Sequence, residues 1–124
     1  MTLLEAINLA DEQRPNAYDK ETKILWLSEL DGRIKREIYD THEEIRETPF
    51  TPYTNLFDLN KSLLAPHPYD AIYIHWLYTK IDFMNGENAR FNTSALMYNT
   101  AWINLANYVN RNYRPLSGAR LTGA

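Results

Sequence analysis

The sequence contains no cysteine, and its four glycines stand far apart. Without cysteine the chain cannot form a disulfide, a thiolate zinc site or a cysteine nucleophile. The separated glycines exclude a glycine-rich loop that cradles phosphate. No hydrophobic run approaches the length of a membrane span, and the opening MTLLEAINLADEQ lacks the basic start of a signal peptide. We therefore expect a soluble protein made in the cytoplasm, with no membrane contact.

Length and composition predict one globular domain. A chain of 124 residues has the length of a single domain, and folding at this size buries roughly two-thirds of the surface of the unfolded chain. Hydrophobic residues make up 44% of the sequence and aromatic residues 13%. These fractions are ordinary for a globular protein and too high for a disordered one. We therefore expect a packed hydrophobic core.

Charge is distributed unevenly along the chain, although the net charge is only −3. Residues 1–47 contain twelve acidic and seven basic residues, whereas residues 88–124 contain four arginines and no acid. One explanation is chance unevenness in a short chain. The other is a pair of complementary surfaces that meet head to tail between copies of the protein.

The spacing of apolar residues predicts two helices in the first part of the chain. Thr2 and Glu5 form a capping-box pattern at the start of the first helix, which we expect over residues 2–13. Apolar residues recur every three or four positions in the second helix, over residues 20–40. Gly32 lies inside it and should cost about 1 kcal/mol relative to alanine, so we expect a kink or an end there.

Residues 41–67 form a long connection that is interrupted by three prolines. Loops of this length in a compact domain are often functional or ordered by a partner. We expect a short helix or hairpin near residues 55–64, and packing of part of the loop on the body. The apolar loop residues predicted to bind a partner are Phe50, Tyr53, Leu56 and Phe57.

The third helix, over residues 69–86, is predicted to be the central one because apolar residues cover more than half of its circumference. Its remaining polar strip contains His75, Thr79 and Asp82, and we expect that strip to face water. Gly86 is well placed to end the helix.

The fourth helix is predicted over residues 88–113 from apolar residues that alternate four and three positions apart. Eight asparagines between Asn85 and Asn112 are unusual for a helical hairpin, so several should hydrogen-bond to caps, to the long loop or to another subunit. The predicted fold class is all-α. We expect a single domain over residues 1–113, with four main helices, a C-terminal antiparallel helical hairpin and one long proline-containing loop, followed by a flexible basic tail over residues 114–124.

No group of polar residues in the sequence forms a complete catalytic site. His42, with Glu43 and Glu47, imitates a metal cluster, but the HExxH pattern is absent. We interpret that segment as an acidic, solvated helix end and keep a metal-dependent hydrolase as an alternative. His75 and Asp82 lie about 10.5 Å apart along the helix axis, too far for a direct hydrogen bond. We therefore predict no enzyme activity, no catalytic residue, no metal and no cofactor.

The basic C-terminal residues admit two kinds of partner. Arginine can contact phosphates, and tyrosine can stack on bases. However, a few arginines on an acidic protein provide little positive charge for binding nucleic acid. A protein partner fits these residues at least as well. The C-terminal residues predicted to bind a partner are Arg111, Tyr113, Arg114 and Arg120.

Two long segments resemble a known family. They are DEQRPNAYDKETKILWLSELDGRIKREIYDTHE and LLAPHPYDAIYIHWLYTKIDFMNGENARFNTSALMYNTAWINLANYVNR. The features that carry the resemblance are Pro15-Asn16, the Trp-Leu-x-x-Leu-Asp of Trp26–Asp31, the Pro-Tyr-Asp of Pro68–Asp70, and the Asn92, Tyr98 and Asn99 pattern. Over about residues 11–113, the chain is similar to head–tail connector, or adaptor, proteins of tailed phages and of prophages in Gram-positive bacteria.

The resemblance implies a structural part of a virion that is assembled in the bacterial cytoplasm. Such proteins are helical and non-enzymatic, and they form a homo-oligomeric ring below the portal that docks later connector or tail proteins. The partners implied are further copies of the chain, the portal and other connector proteins, with non-specific contact to the DNA in the channel. The alternative is a small non-catalytic helical module that acts in protein–protein interaction or regulation.

Overall fold

Four α-helices form the body of the protein in a computed structural model that describes residues 1–116. The helices are α1 (Leu3–Gln13), α2 (Lys20–Glu37), α3 (Ala71–Met84) and α4 (Asn88–Asn112). Within the described residues the chain forms no strand, only two isolated bridges. The predicted all-α fold class is therefore confirmed. None of these helices combines the length and the apolar character that a membrane crossing requires.

Local capping fixes the start of α1, and burial decides how far α2 extends. The Thr2 hydroxyl accepts a hydrogen bond from the Glu5 backbone N–H at 3.2 Å, and the Thr2 N–H donates to the Glu5 carboxylate at 2.9 Å. This is the predicted capping box. α2 does not end at Gly32 but continues to Glu37, because Leu30 and Ile34 on either side of the glycine are fully buried.

α3 occupies the centre of the domain, as predicted, and contacts each of the other three helices. Two residues of its polar strip, Thr79 and Asp82, do not face water, which corrects the prediction for them. Thr79 is 9% exposed and Asp82 only 1%. Two neighbouring elements cover Asp82, because Arg14 after α1 and Ser94 of α4 both bind its carboxylate.

α3 and α4 lie side by side and make the most extensive helix–helix contact of the domain. The chain reverses over three residues between them, and Gly86 there has a φ of 71°, a left-handed conformation that glycine adopts without steric cost. Tyr98, Leu105 and Val109 of α4 are buried, so α4 fixes one side of the core.

The long connection between α2 and α3 packs against the body. It contains three single-turn 3₁₀ helices, Tyr39–Thr41, Ile45–Glu47 and Leu56–Asp58. The last of these falls within the region where a short helix or hairpin was predicted. Near its end the connection pairs with the start of the chain, where the Leu63 N–H donates to the Met1 carbonyl at 2.9 Å.

The first residues of the predicted C-terminal tail form backbone hydrogen bonds to the long connection. The Arg114 carbonyl accepts a hydrogen bond from the Glu43 N–H at 2.7 Å, and the Leu116 N–H donates to the Thr41 carbonyl at 3.0 Å. Residues 114–116 are therefore attached to the body, which corrects the predicted boundary at Tyr113. The rest of the predicted tail, including Arg120, lies outside the described residues.

Candidate interaction surface

The loop residues predicted to bind a partner occupy different environments. Tyr53 is 4% exposed and donates its hydroxyl proton to Asp31 at 2.6 Å. It therefore has almost no surface to offer, which corrects the prediction for this residue. Phe50 is half-buried and packs edge-on against the Tyr53 ring at a centroid distance of 5.4 Å. Leu56 and Phe57 are 50% and 94% exposed, so they do present apolar surface.

Three of the C-terminal residues predicted to bind a partner, Arg111, Tyr113 and Arg114, belong to the described part of the chain and lie at or just after the end of α4. Arg111 is exposed, and its guanidinium donates to the Tyr69 hydroxyl at 3.3 Å. Tyr113 is half-buried and packs against the core, whereas Arg114 is exposed. Only the two arginines therefore offer charge to the solvent.

A groove of about 390 Å³ runs between α3 and α4 and reaches Arg111. We call it the α3–α4 groove. Its lining contains apolar, amide and basic side chains and no acid: Pro68, Tyr69, Ala71, His75, Met97, Thr100, Ala101, Asn104, Asn107 and Arg111. Burial lowers the pKa of His75 below its ordinary value of about 6.5, so the imidazole is neutral at pH 7. Arg111 is thus the charged group of the groove.

Apolar side chains of α4 are exposed both in the groove and beside it. Leu96 is 66% exposed, Met97 47% and Ile103 56%. Single exposed apolar residues are normal on a protein surface, but adjacent ones mark interaction sites. The solvent face of α4 is therefore the best candidate for a docking surface in the described residues.

The surface of the N-terminal part is more acidic than its sequence suggests. Of the twelve acids in residues 1–47, ten are exposed, and Asp11 and Asp31 are not. Only three of the seven bases there are exposed, namely Lys20, Arg36 and Arg46. The remaining bases are covered or paired, as in the 2.7 Å contact between the buried Lys23 ammonium and Asp11. The acidic surface and the acid-free groove belong to different parts of the chain.

A buried carboxylate, Asp31, anchors the long connection to the helices. Its Oδ2 accepts hydrogen bonds from the Tyr53 hydroxyl at 2.6 Å and the Leu64 N–H at 3.1 Å. Its Oδ1 accepts one from the Tyr73 hydroxyl at 2.6 Å. Asp31 is fully buried, and no basic side chain of residues 1–116 binds it. Burial raises the pKa of Asp31, and the three hydrogen bonds oppose that rise.

The raised pKa of Asp31 predicts a pH dependence of stability. Between its ordinary pKa of about 3.9 and the higher folded pKa, the folded state holds a proton that the unfolded state has released. Stability from this group therefore falls as pH rises through that window. We expect the free energy of unfolding of wild type, minus that of Asp31→Asn, to decrease with rising pH in urea titrations.

The subtraction in this experiment removes opposing contributions, because the pKa values of Glu5, Asp19, Glu37 and Asp58 are lowered by hydrogen bonds. The contribution of each of those groups to the stability of the domain decreases as pH falls. A difference between wild type and Asp31→Asn that does not change with pH would show that Asp31 keeps an ordinary pKa.

A second buried carboxylate, Asp82, joins three elements. Its Oδ2 accepts hydrogen bonds from the Arg14 guanidinium and, at 2.7 Å, from the Ser94 hydroxyl. The guanidinium also lies over the Tyr78 ring, 4.4 Å from its centroid. Asp82 thus connects the end of α1 to α3 and α4. His75, seven residues before Asp82 in the sequence, takes no part in these contacts.

His42 is buried, not solvated as predicted. It is 5% exposed, and its ring nitrogens contact the Ile38 carbonyl at 2.8 Å and the Asn110 side chain at 2.6 Å. Both nitrogens are therefore engaged in holding the end of α2 against α4. In residues 1–116, no three histidine, aspartate or glutamate side chains are placed to share a metal ion.

No protein-family model, curated protein or solved structure matches this chain.

Proposed function

We propose that the chain is a structural subunit of the head–tail connector of a tailed phage or prophage, and that it acts by assembly with copies of itself. The observation that carries the proposal is the separation of charge on the surface: ten exposed acids in residues 1–47 and an acid-free groove that ends at Arg111. The sequence resemblance supplies the biological setting.

Two different surfaces on one chain are what a ring requires. A head-to-tail contact joins one patch to a different patch on the next copy, and it closes into a ring when the rotation between copies allows it. Complementary charge speeds the encounter and fixes the register. The acidic part of one copy and the α3–α4 groove of the next supply such a pair. In this proposal the ring lies below the portal and docks later connector or tail proteins.

The exposed arginines of α4 and the segment after it also suit contact with DNA in the channel of the ring. Arg90, Arg111 and Arg114 are exposed, and Glu87 is the last acid in the sequence. Contacts of arginine with phosphate carry no sequence information. We therefore propose that any DNA contact is non-specific.

A small interaction or regulatory module is the second candidate, favoured by the same groove. Asn104 and Asn107 line it and form no side-chain hydrogen bond within the described residues. Amides of this kind bind the backbone of an extended peptide. The two candidates differ in the occupant, which is another copy of the chain in the first and a different protein in the second.

Reversing the charge of Arg111 tests the assembly proposal. We expect Arg111→Glu to weaken self-association about tenfold, because it places an acid against the acidic surface of the next copy. Sedimentation velocity over a concentration series, with and without the portal protein of the same phage, measures the change. Arg90→Glu, on the same helix but outside the groove, is the matched control. Equal association of both variants and wild type would contradict the proposed surface.

Truncation after Leu116 tests the C-terminal tail separately. It removes residues 117–124 with Arg120 and keeps the hydrogen bonds of Arg114 and Leu116 to the body. We expect impaired assembly with unchanged helicity in far-UV circular dichroism. If the truncated chain assembles as well as the full one, the tail has no role in assembly.

A further inference from the structure

Leu56 and Phe57 form an apolar projection that we call the loop knob. Phe57 is 94% exposed, the largest exposure of any large apolar residue in the described chain, and Leu56 beside it is 50% exposed. An aromatic side chain buries a large area when it enters a pocket and is a frequent anchor in interfaces. The domain itself leaves this surface unused.

The backbone beneath the loop knob is fixed by hydrogen bonds. The Phe57 N–H donates to the Asn55 side chain at 2.9 Å. The Asp58 carboxylate accepts from the Thr54 N–H at 2.7 Å and binds the Lys61 ammonium at 2.8 Å. A projection held in this way loses little conformational entropy when it docks, which favours binding.

The α3–α4 groove offers a matching receptor. Its volume of about 390 Å³ lies in the range of cavities that hold small ligands, and Met97 and Ala101 give it an apolar lining. Asn104 and Asn107 stand beside them, and their amides, which bind no side chain or backbone group of residues 1–116, suit the backbone around an inserted side chain. Because Phe57 is almost fully exposed, it does not occupy the groove of its own chain.

The Asp58–Lys61 pair beside the loop knob balances its own charge, which leaves one further exposed acid, Glu5, on that side of the domain. The Leu59 carbonyl, two residues after the loop knob, accepts a hydrogen bond from the Leu4 N–H at 2.9 Å. The exposed carboxylate of Glu5 follows directly on α1. Arg111 is the charged group of the groove. A second copy that inserts its loop knob therefore brings an unbalanced carboxylate to the side of Arg111, and this charge complementarity favours a second copy as the occupant.

We propose that the loop knob of one copy inserts into the α3–α4 groove of the next copy. This inference rests on the proposed function and specifies its self-contact. The two patches are different, so the contact is head to tail and propagates from copy to copy. Apolar insertion provides the affinity of the contact, and Arg111 with the acidic surface sets its orientation.

Disulfide trapping tests this contact, because the natural chain has no cysteine and gives no background. One variant is Asn60→Cys, which places the thiol beside an intact loop knob, and the other is Thr100→Cys in the groove. Both positions are exposed, so the domain folds as before. We expect the mixed variants, under mild oxidation, to form at least about tenfold more crosslinked heterodimer than the control mixture, because docking raises the local thiol concentration.

The control mixture replaces Asn60→Cys with Leu25→Cys, an exposed position on α2. Each single-cysteine variant is also oxidised alone, and the crosslinked dimer it forms measures the contribution of random collision. Heterodimer formation equal to that of the control mixture would overturn the knob-in-groove contact. Ring formation by wild-type chain on the portal is examined in parallel. Rings without selective crosslinking would refute this contact and leave the connector function standing, whereas selective crosslinking without rings would refute the connector function alone.

Discussion

Asp31→Ala is expected to destabilise the domain by about 3–5 kcal/mol, because the substitution leaves three buried donors without an acceptor. These donors are the hydroxyls of Tyr53 and Tyr73 and the N–H of Leu64. Each buried and unsatisfied donor costs about 1–3 kcal/mol, and the loss of the buried charge offsets part of the sum. Domains of this kind have total stabilities of about 5–15 kcal/mol, so the substitution should remove a large share of the free energy of unfolding.

Urea unfolding followed by circular dichroism and by tryptophan fluorescence measures this effect. Tyr53→Phe is the graded control, since it removes only one of the three hydrogen bonds and should cost about 1 kcal/mol. Because the cluster holds the long connection, amide hydrogen exchange in residues 49–65 should accelerate in Asp31→Ala more than exchange in α4. A loss below about 1 kcal/mol would mean that the three donors find other partners.

Arg14→Met is the second substitution with a large expected effect, about 3 kcal/mol of lost stability. Asp82 is 1% exposed, and Arg14 is its charged partner. Removing one member of a buried ion pair leaves an uncompensated buried charge, which is worse than removing both members. Methionine retains the packing of the side chain against Tyr78, so the loss reports mainly the missing charge.

The double variant Arg14→Met/Asp82→Asn separates charge from packing. We expect it to be more stable than Arg14→Met alone, because the neutral amide no longer needs a cation while Ser94 still contacts position 82. Thermal and urea unfolding of wild type, both single variants and the double variant complete the cycle. Additive effects of the two single changes would show that the charges of Arg14 and Asp82 do not interact.

Local patterns in the sequence predicted the helices well, because helix periodicity and capping act over a few residues. The Thr2 and Glu5 box, the apolar repeat of α4 and the turn at Gly86 all appear where expected. α2 does not end at Gly32, which was one of the two outcomes expected there, since burial of Leu30 and Ile34 outweighs the local cost of a glycine. Tertiary packing commonly overrides propensity in this way.

Buried polar residues could not be predicted from their position on a helix. Asp82 falls on the polar strip of α3, so its position in the helix predicts contact with water. In the folded domain Arg14 and Ser94, from distant parts of the chain, bind it instead. His42 was misread for the same reason, since its partner Asn110 is far away in the sequence. Each of these contacts depends on tertiary structure that a helical pattern does not encode.

The candidate interaction surface was predicted only in part. Leu56, Phe57 and Arg111 are exposed, but the other residues of the α3–α4 groove were not singled out. Their one signal in the sequence was the excess of asparagines after Asn85, of which the structure places Asn104 and Asn107 in the groove. A groove arises from two helices together, so neither helix reveals it alone.

Electron microscopy of the chain mixed with the portal protein of the same phage tests the central claim most directly. Assembly through unlike surfaces predicts a closed ring of copies stacked on the portal, with α4 of each copy facing the acidic part of its neighbour. Portal particles that carry no added ring, at chain concentrations far above the portal concentration, would contradict the account.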